Sequence, residues 1–368
     1  MTDFFISPAA IKGRGSASRI AHRFELDSRA AFDDGWQTQT GLLAEQQAQV
    51  KLLTQVRHEQ VKSVITSHQS PDLALMRSVN PYRGCEHGCI YCYARPTHSY
   101  LGLSPGLDFE TRLIAKTNIA DVLQKELARS SYQVEPISIG SATDCYQPIE
   151  RELRLTRQVL ELFNQTAHPL GIVTKSSGVE RDIDLLASMG ARQLAAVYVT
   201  ITTLDAALAR KLEPRAASPL RRLETIRRLR AAGVPVGVSL APQIPFITED
   251  MEQVLEAAAQ AGASRAFYSV LRLPWEVAPL FREWLSLHFP DRAARVMARI
   301  ADMRGGKDYE SAFFSRMQGN GLWAELIAQR FSKACIRLGL NRQRFTLDNS
   351  QFVPPVRPRA GAVQGQLF

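Results

Sequence analysis

Residues 78–98 read "SVNPYRGCEHGCIYCYARPTH" and place three of the chain's five cysteines, Cys85, Cys89 and Cys92, within eight consecutive positions. In 368 residues chance almost never does this, so the stretch is part of a disulfide framework, a metal site or an iron–sulfur site. The chain opens on "MTDFFISPAA", with no basic segment leading into an apolar run, and nowhere does an apolar run reach the roughly eighteen residues a membrane span needs. Neither secretion nor membrane spanning is expected, and the expected location is cytoplasmic. Thiols stay reduced there, and five is an odd number; both points turn the cluster away from disulfides and towards metal binding or chemistry.

Three thiolates spaced C-x3-C-x2-C can hold three irons of a [4Fe–4S] cube and leave the fourth iron without a protein ligand. Zinc is the competing metal: it prefers four protein ligands in a closed site, and His87 or His98 would complete a Cys3His set. Iron–sulfur is the better reading, because "GCIYCYA" has no second C-x2-C pair and its aromatics suit a loop that faces a ligand.

Downstream, short β-rich runs alternate with helical patterns. The runs are "EPISIGS" (135–141), "LGIVTKS" (170–176), "AAVYVTIT" (195–202), "VPVGVSL" (234–240) and "RAFYSVL" (265–271); between them lie "IERELRLTRQVLELFNQ", "VERDIDLLASM", "PLRRLETIRRLRAAG" and "EDMEQVLEAAAQAG". Gly233 and Gly262 stand where helix C-caps are expected. This alternation predicts a parallel sheet built from right-handed βαβ units. Counting "SVNPYRG" as a first strand gives six, with the cysteine loop at its C-terminal end, where β/α barrels collect their catalytic groups.

The expected fold class is therefore α/β, a partial (β/α)6 barrel with N- and C-terminal extensions. Residues 1–74 form the N-terminal extension, 75–290 the barrel core, 291–350 a C-terminal helical extension and 351–368 a Pro/Gly-rich tail. Within the first of these, "KGRGSASR" (12–19) reads as a flexible basic arm and residues 41–60 as an amphipathic helix. Hydrophobic content of 45% and charged content of 22% are those of a globular protein with a large core. The net charge of +9 suits a polyanionic partner, although arginines spread this widely also suit plain solvated faces.

Cys85-x3-Cys89-x-Tyr91-Cys92, set after a first strand and ahead of five further β/α units, resembles the radical S-adenosylmethionine (SAM) superfamily over roughly residues 75–290. Tyr91, Cys92 and Tyr93, with "SATD", "TKS" and "LEPRAASPLRRLETI", are similar to the spore photoproduct lyase-like, or DNA repair photolyase-like, subgroup. The resemblance implies a [4Fe–4S] cluster on Cys85, Cys89 and Cys92 whose open iron is chelated by the amino and carboxylate groups of SAM. One electron then cleaves SAM to methionine and a 5′-deoxyadenosyl radical that abstracts hydrogen; the cofactor carries the difficult step while the protein positions it.

The same resemblance implies site residues. Tyr91 and Tyr93 would border the adenine and the cluster, Ser141, Thr143 and Asp144 would hold the methionyl amino group, Lys175 would bind the SAM carboxylate, and Thr200 and Thr202 would reach the ribose hydroxyls. Plainer readings stand beside these: loop packing for Tyr93, helix capping for Asp144, strand propensity for the threonines. The subgroup's hydrogen-donor thiol aligns with Ser141, so Cys145, four residues on, is the candidate hydrogen donor, its plainer reading being a small buried hydrophobe. Cys335, in "FSKACIRLGL", reads as core; Glu213, Arg221 and Arg222 flank the helix after the fourth strand, their plainer reading being ordinary surface ion pairs. "VSLAPQIPF" offers small residues and prolines against which a flat adenine could lie.

The partners implied are SAM, a flavodoxin- or ferredoxin-like electron donor, and DNA or RNA, with no membrane. Three functions follow: a radical SAM enzyme acting on nucleic acid, one modifying a protein or small molecule, or a non-catalytic zinc- or nucleic-acid-binding module whose cysteines only brace a loop.

Overall fold

The computed structural model describes residues 10–25, 52–343 and 345–356. Among them run, in chain order, the strands β1 (Gln55–Glu59), β2 (Ile65–Ser67), β3 (Arg77–Val79), β4 (Tyr82–Arg83), β5 (Arg112–Lys116), β6 (Ile137–Ile139), β7 (Leu170–Thr174), β8 (Ala195–Thr200), β9 (Val236–Gln243) and β10 (Arg265–Val270). Seven form one sheet in the order β10-β9-β8-β7-β6-β3-β2. All neighbours from β3 to β10 are parallel, and β2 runs antiparallel to β3 at one edge. The six parallel strands match the six predicted, in the predicted order. The first is shorter than expected: "SVNPYRG" divides into β3 and β4, and β4 joins β5 and β1 in a separate three-stranded sheet.

The two faces of the large sheet differ in chemistry, as alternation along a strand requires. Ile137, Ile139, Leu170, Ile172, Val197, Val199, Val236, Val238 and Leu240 are all buried in one core with the helices. Burying each such side chain contributes roughly 1.5–3 kcal/mol, which makes this face the main source of stability. The opposite face carries Ser138, Gly171, Val173, Tyr198, Thr200, Gly237, Ser239 and Phe267. Tyr198 and Phe267 meet edge to face there at 5.1 Å, and the Tyr198 ring covers Gly237, where a Cβ would come within 2.5 Å of it. Gly233 (φ +80°) and Gly262 (φ +103°) close the helices Pro219–Ala231 and Met251–Gln260 in the left-handed conformation expected of C-caps. Among the described residues no helix is long and apolar enough to cross a membrane.

Two expectations are corrected. Residues 55–59 are strand β1, held parallel to β5, not the end of a helix; residues 41–51 lie outside the described residues. The "KGRGSASR" segment is not a free arm either, since Arg14, Gly15 and Ser16 are buried. The reason is Glu110, a fully buried carboxylate that accepts hydrogen bonds from the backbone of Gly15 (3.0 Å) and Ser16 (2.9 Å), while Arg14 Nη1 donates to the Glu110 carbonyl (2.9 Å). A polar, glycine-rich segment satisfies a buried acid with its own N–H groups, which its composition does not reveal.

Candidate functional site

The cysteine loop follows β4 and passes into the 3-10 helix Arg95–Leu101. Its shape is set by its own backbone and by buried charge. Cys85 N donates to Phe109 O (2.9 Å) and Cys92 N to Cys89 O (3.2 Å). Arg95, fully buried, donates to the carbonyls of Cys89 (2.9 Å), Gly88 (3.2 Å) and Gly106 (3.0 Å) and to Glu110 Oε1 (2.5 Å). A guanidinium spread over four carbonyls, Pro105 O (3.2 Å) being the fourth, and one carboxylate is the kind of arrangement that makes a buried arginine tolerable. At the loop's start, Gln147 accepts from Glu86 N (2.8 Å) and donates to Thr143 Oγ1 (3.0 Å), which itself donates to Gly84 O (2.6 Å).

The arm closes the loop from behind. A Cβ on Gly15 would lie 1.7 Å from Gly88 O, between Cys85 and Cys89. Gly15→Ala therefore cannot be accommodated without moving that peptide. We expect the variant to retain its core, with a circular dichroism spectrum like that of the unaltered chain, but to lose most of its capacity to take up iron under anaerobic reconstitution.

The plainer reading of Glu213 and Arg222, as surface ion pairs, does not hold. Both are buried, and they form a network beneath the loop. Glu213 pairs with Arg222 and accepts from the Tyr91 hydroxyl and from Thr202 Oγ1 (2.9 Å), while Arg222 Nη1 donates to Thr200 O (2.9 Å). The helix that brings Arg222 inward starts with Ser218 as N-cap and Pro219 in its first turn, so "SP" and the arginine three residues after the proline were the available signal. The segment before it runs along the loop: Ile90 N donates to Leu212 O (3.1 Å) and Arg215 N to His87 O (3.3 Å). Only Arg221, paired with Glu180, fits the surface reading.

The predicted cofactor-binding residues fall around this network. Lys175, at the end of β7, holds its Nζ 5.7 Å from the Tyr91 ring centroid. Burial works against its charge, but Cys89 and Glu213 outweigh it and raise the pKa above the ordinary value. No described residue accepts a hydrogen bond from that ammonium. Asp144 behaves differently: its oxygens accept from Thr174 Oγ1 (2.8 Å), Lys175 N (2.8 Å) and Tyr146 N (2.9 Å), and His87 Nδ1 stands 3.2 Å away. Burial favours its protonation, yet His87 and those backbone donors prevail and hold its pKa well below the usual carboxylate range. It cross-links the ends of β6 and β7. The Tyr93 hydroxyl donates to Ser141 O, and Ser141 Oγ accepts from Asn80 (3.3 Å). Thr200 sits in register with Ser239, whose buried hydroxyl has no partner among the described residues.

The remaining candidates lie in other company. Cys145 is fully buried in the main core, whereas Cys85 and Cys92 group with Ala94 and Phe109. Its thiol is pushed up by burial first, then by Asp144 and Glu150, so it stands as a fully buried S–H. His98 is buried edge-on to Phe109, its Nε2 3.0 Å from Arg112 O, and burial lowers its pKa to about 4. Cys335 is buried on the helix Gly321–Leu338, as expected.

The donor set suits an iron–sulfur cluster. Cys85, Cys89 and Cys92 are all free thiols. Among the described residues no three His, Cys, Asp or Glu side chains are gathered for a single ion; of the two histidines weighed for a zinc set, His98 is held at Arg112 O and His87 stands beside Asp144. Burial raises the Cys89 thiol to about 12, with Lys175 opposing and Glu213 and Cys92 adding to the rise. Such thiols ionise only against a strongly cationic group.

Residues 79–258 match the model of the Radical SAM superfamily. An uncharacterized protein of Mycobacterium tuberculosis is 37% identical over 221 residues, 59% of this chain and 65% of its own length, so the chain spans somewhat under two thirds of that relative. An uncharacterized protein of Methanocaldococcus jannaschii is 26% identical over 213 residues, 58% of this chain and 76% of its own. Among solved structures, a spore photoproduct lyase mutant shares the fold with a TM-score of 0.54 at 16% identity, over 77% of this chain and 80% of the other. A second, with bound AdoMet and dinucleoside spore photoproduct, gives 0.54 at 15% identity over 79% and 82%.

Proposed function

We propose, for a chain whose residues 79–258 match the model of the Radical SAM superfamily, that the protein is an enzyme that cleaves SAM reductively and acts on nucleic acid. The superfamily uses a [4Fe–4S] cluster with SAM, and the chemistry this pair supplies when bound is one-electron cleavage of the sulfonium. Cys85, Cys89 and Cys92 would hold the cluster. Lys175 would meet the SAM carboxylate, Tyr91 and Tyr93 would wall the site, and Thr200 and Thr202 would line its far side. Asp144 would act by fixing the backbone of Lys175, and Thr143 by fixing Gly84, not by direct contact. Cys145 is assigned to core packing.

The observation that carries the reading is the pairing of three free thiols in a braced loop with a charged ammonium that no described residue hydrogen-bonds. A cation of this kind beside a thiol cluster calls for an anionic ligand. The nucleic-acid part rests on the likeness to spore photoproduct lyase and on the net charge of +9.

The test is anaerobic turnover with dithionite, measuring 5′-deoxyadenosine with and without single-stranded DNA, duplex DNA and RNA. Stimulation by one of these, weakening with salt, supports the reading. Equal 5′-deoxyadenosine formation in every case would move the substrate to a protein or small molecule.

A further inference from the structure

Three segments meet beyond the end of β10: the arm at residues 20–25, the 3-10 helix that follows the cysteines, and residues 271–276. Their hub is Arg23, which donates from its backbone to Glu276 Oε1 (3.0 Å) and from Nη1 to both Glu276 oxygens (3.3 and 3.0 Å); Ser99 Oγ reaches the same carboxylate (3.1 Å). Three rings surround its guanidinium, Phe24 at 4.8 Å, Tyr100 at 5.0 Å and Trp275 at 4.4 Å.

A cluster built only for packing would be buried. These rings are not: Phe24 is 50% exposed, Tyr100 70% and Trp275 63%. Trp275 also holds a left-handed backbone, φ +46°, which a bulky residue adopts only against strain. A second pair continues the surface towards the cysteines. The Arg272 guanidinium lies 4.6 Å from the Tyr93 ring, which is 49% exposed within the cysteine loop, and Arg272 makes no ion pair with any described residue.

We propose that Phe24, Tyr100, Trp275 and Tyr93, interleaved with Arg272, form a stacking platform that delivers unpaired bases of a nucleic acid strand to the site. The proposal rests on the nucleic-acid reading above and deepens it by naming the surface. Exposed rings beside an arginine that has no ion pair among the described residues fit bases and phosphates together, and the net charge of +9 adds long-range attraction. The strand must be single or locally opened, because a base within a duplex has both faces covered. A lipid surface would ask instead for a contiguous apolar face with cations at its rim.

The probe is a fluorescein-labelled 20-nucleotide single-stranded DNA, titrated by anisotropy against cluster-loaded protein at two salt concentrations. Trp275→Ala and Arg272→Ala are compared with the unaltered chain, iron content serving as the folding control. We expect single strand to bind more tightly than duplex, Trp275→Ala to weaken binding about tenfold, and Arg272→Ala to weaken it and flatten the salt dependence. Unchanged affinity in Trp275→Ala, tighter binding of duplex, or binding of anionic phospholipid vesicles in preference to the oligonucleotide would each overturn the platform. Should DNA still stimulate 5′-deoxyadenosine formation in that event, the platform alone fails; if no nucleic acid binds or stimulates, the reading beneath it fails as well.

Discussion

Alanine at Cys85, Cys89 or Cys92 is expected to take the iron content of anaerobically reconstituted protein from about four per chain to near none, and SAM cleavage with it. The fold should survive. The loop is held by Arg95, Glu110, Gln147 and the backbone of Phe109, none of which depends on a thiol. Truncating one small side chain in such a frame costs about 1 kcal/mol, so the melting temperature of the apo-protein should move by only a few degrees. Cys145→Ala is the control: it opens a cavity in the main core and costs stability, but leaves iron content intact. The thiols also fix a pH dependence. Burial holds Cys89 at about 12 and Cys85 well above the ordinary value, so at neutral pH the apo-protein carries both protonated. Loading must expel those protons, and for each one released the apparent affinity for iron falls about tenfold per unit of pH on acidification. Reconstitution at pH 6.5 should therefore be markedly poorer than at pH 8.5; equal loading would mean that the thiols are not the ligands.

The second large effect is expected at Glu213. Its carboxylate is buried against Arg222, within the field of Lys175, and accepts from Tyr91 and Thr202. Glu213→Ala leaves the buried Arg222 without its anion, and breaking a buried pair from one side typically costs about 3–5 kcal/mol. Glu213→Gln keeps the shape and the contacts to Tyr91 and Thr202 while removing the charge. If Glu213 only stabilises the fold, Gln should lower the melting temperature and leave the loaded site as it was. If it positions Tyr91 and balances Lys175, Gln should also change the EPR spectrum of the reduced protein and weaken SAM binding or alter its pH profile. We expect the latter, and an unaltered spectrum with unaltered SAM affinity would confine Glu213 to stability.

The six parallel strands were legible because β-branched runs and helical patterns alternate at the right lengths, and because Gly233 and Gly262 stop two helices cleanly. The cysteine loop was legible because three free thiols at that spacing have few uses besides holding a metal or a cluster. What the residues concealed was buried charge. Glu213, Arg222, Arg95 and Glu110 have compositions that default to the surface, and only long-range partners reverse that default. The same holds for Gly15 and Ser16, whose place beneath the loop depends on Glu110, some ninety-five residues away in sequence. Strand β1, too, gains its partner only when β5 arrives.

The most direct test of the central claim is the EPR spectrum of dithionite-reduced, anaerobically purified protein, recorded before and after adding SAM. The account predicts a brown protein with about four irons, a signal from the reduced cluster, and a shift of that signal on adding SAM, as an open iron requires. A colourless protein with one zinc per chain, or a cluster signal that SAM leaves untouched, would contradict it.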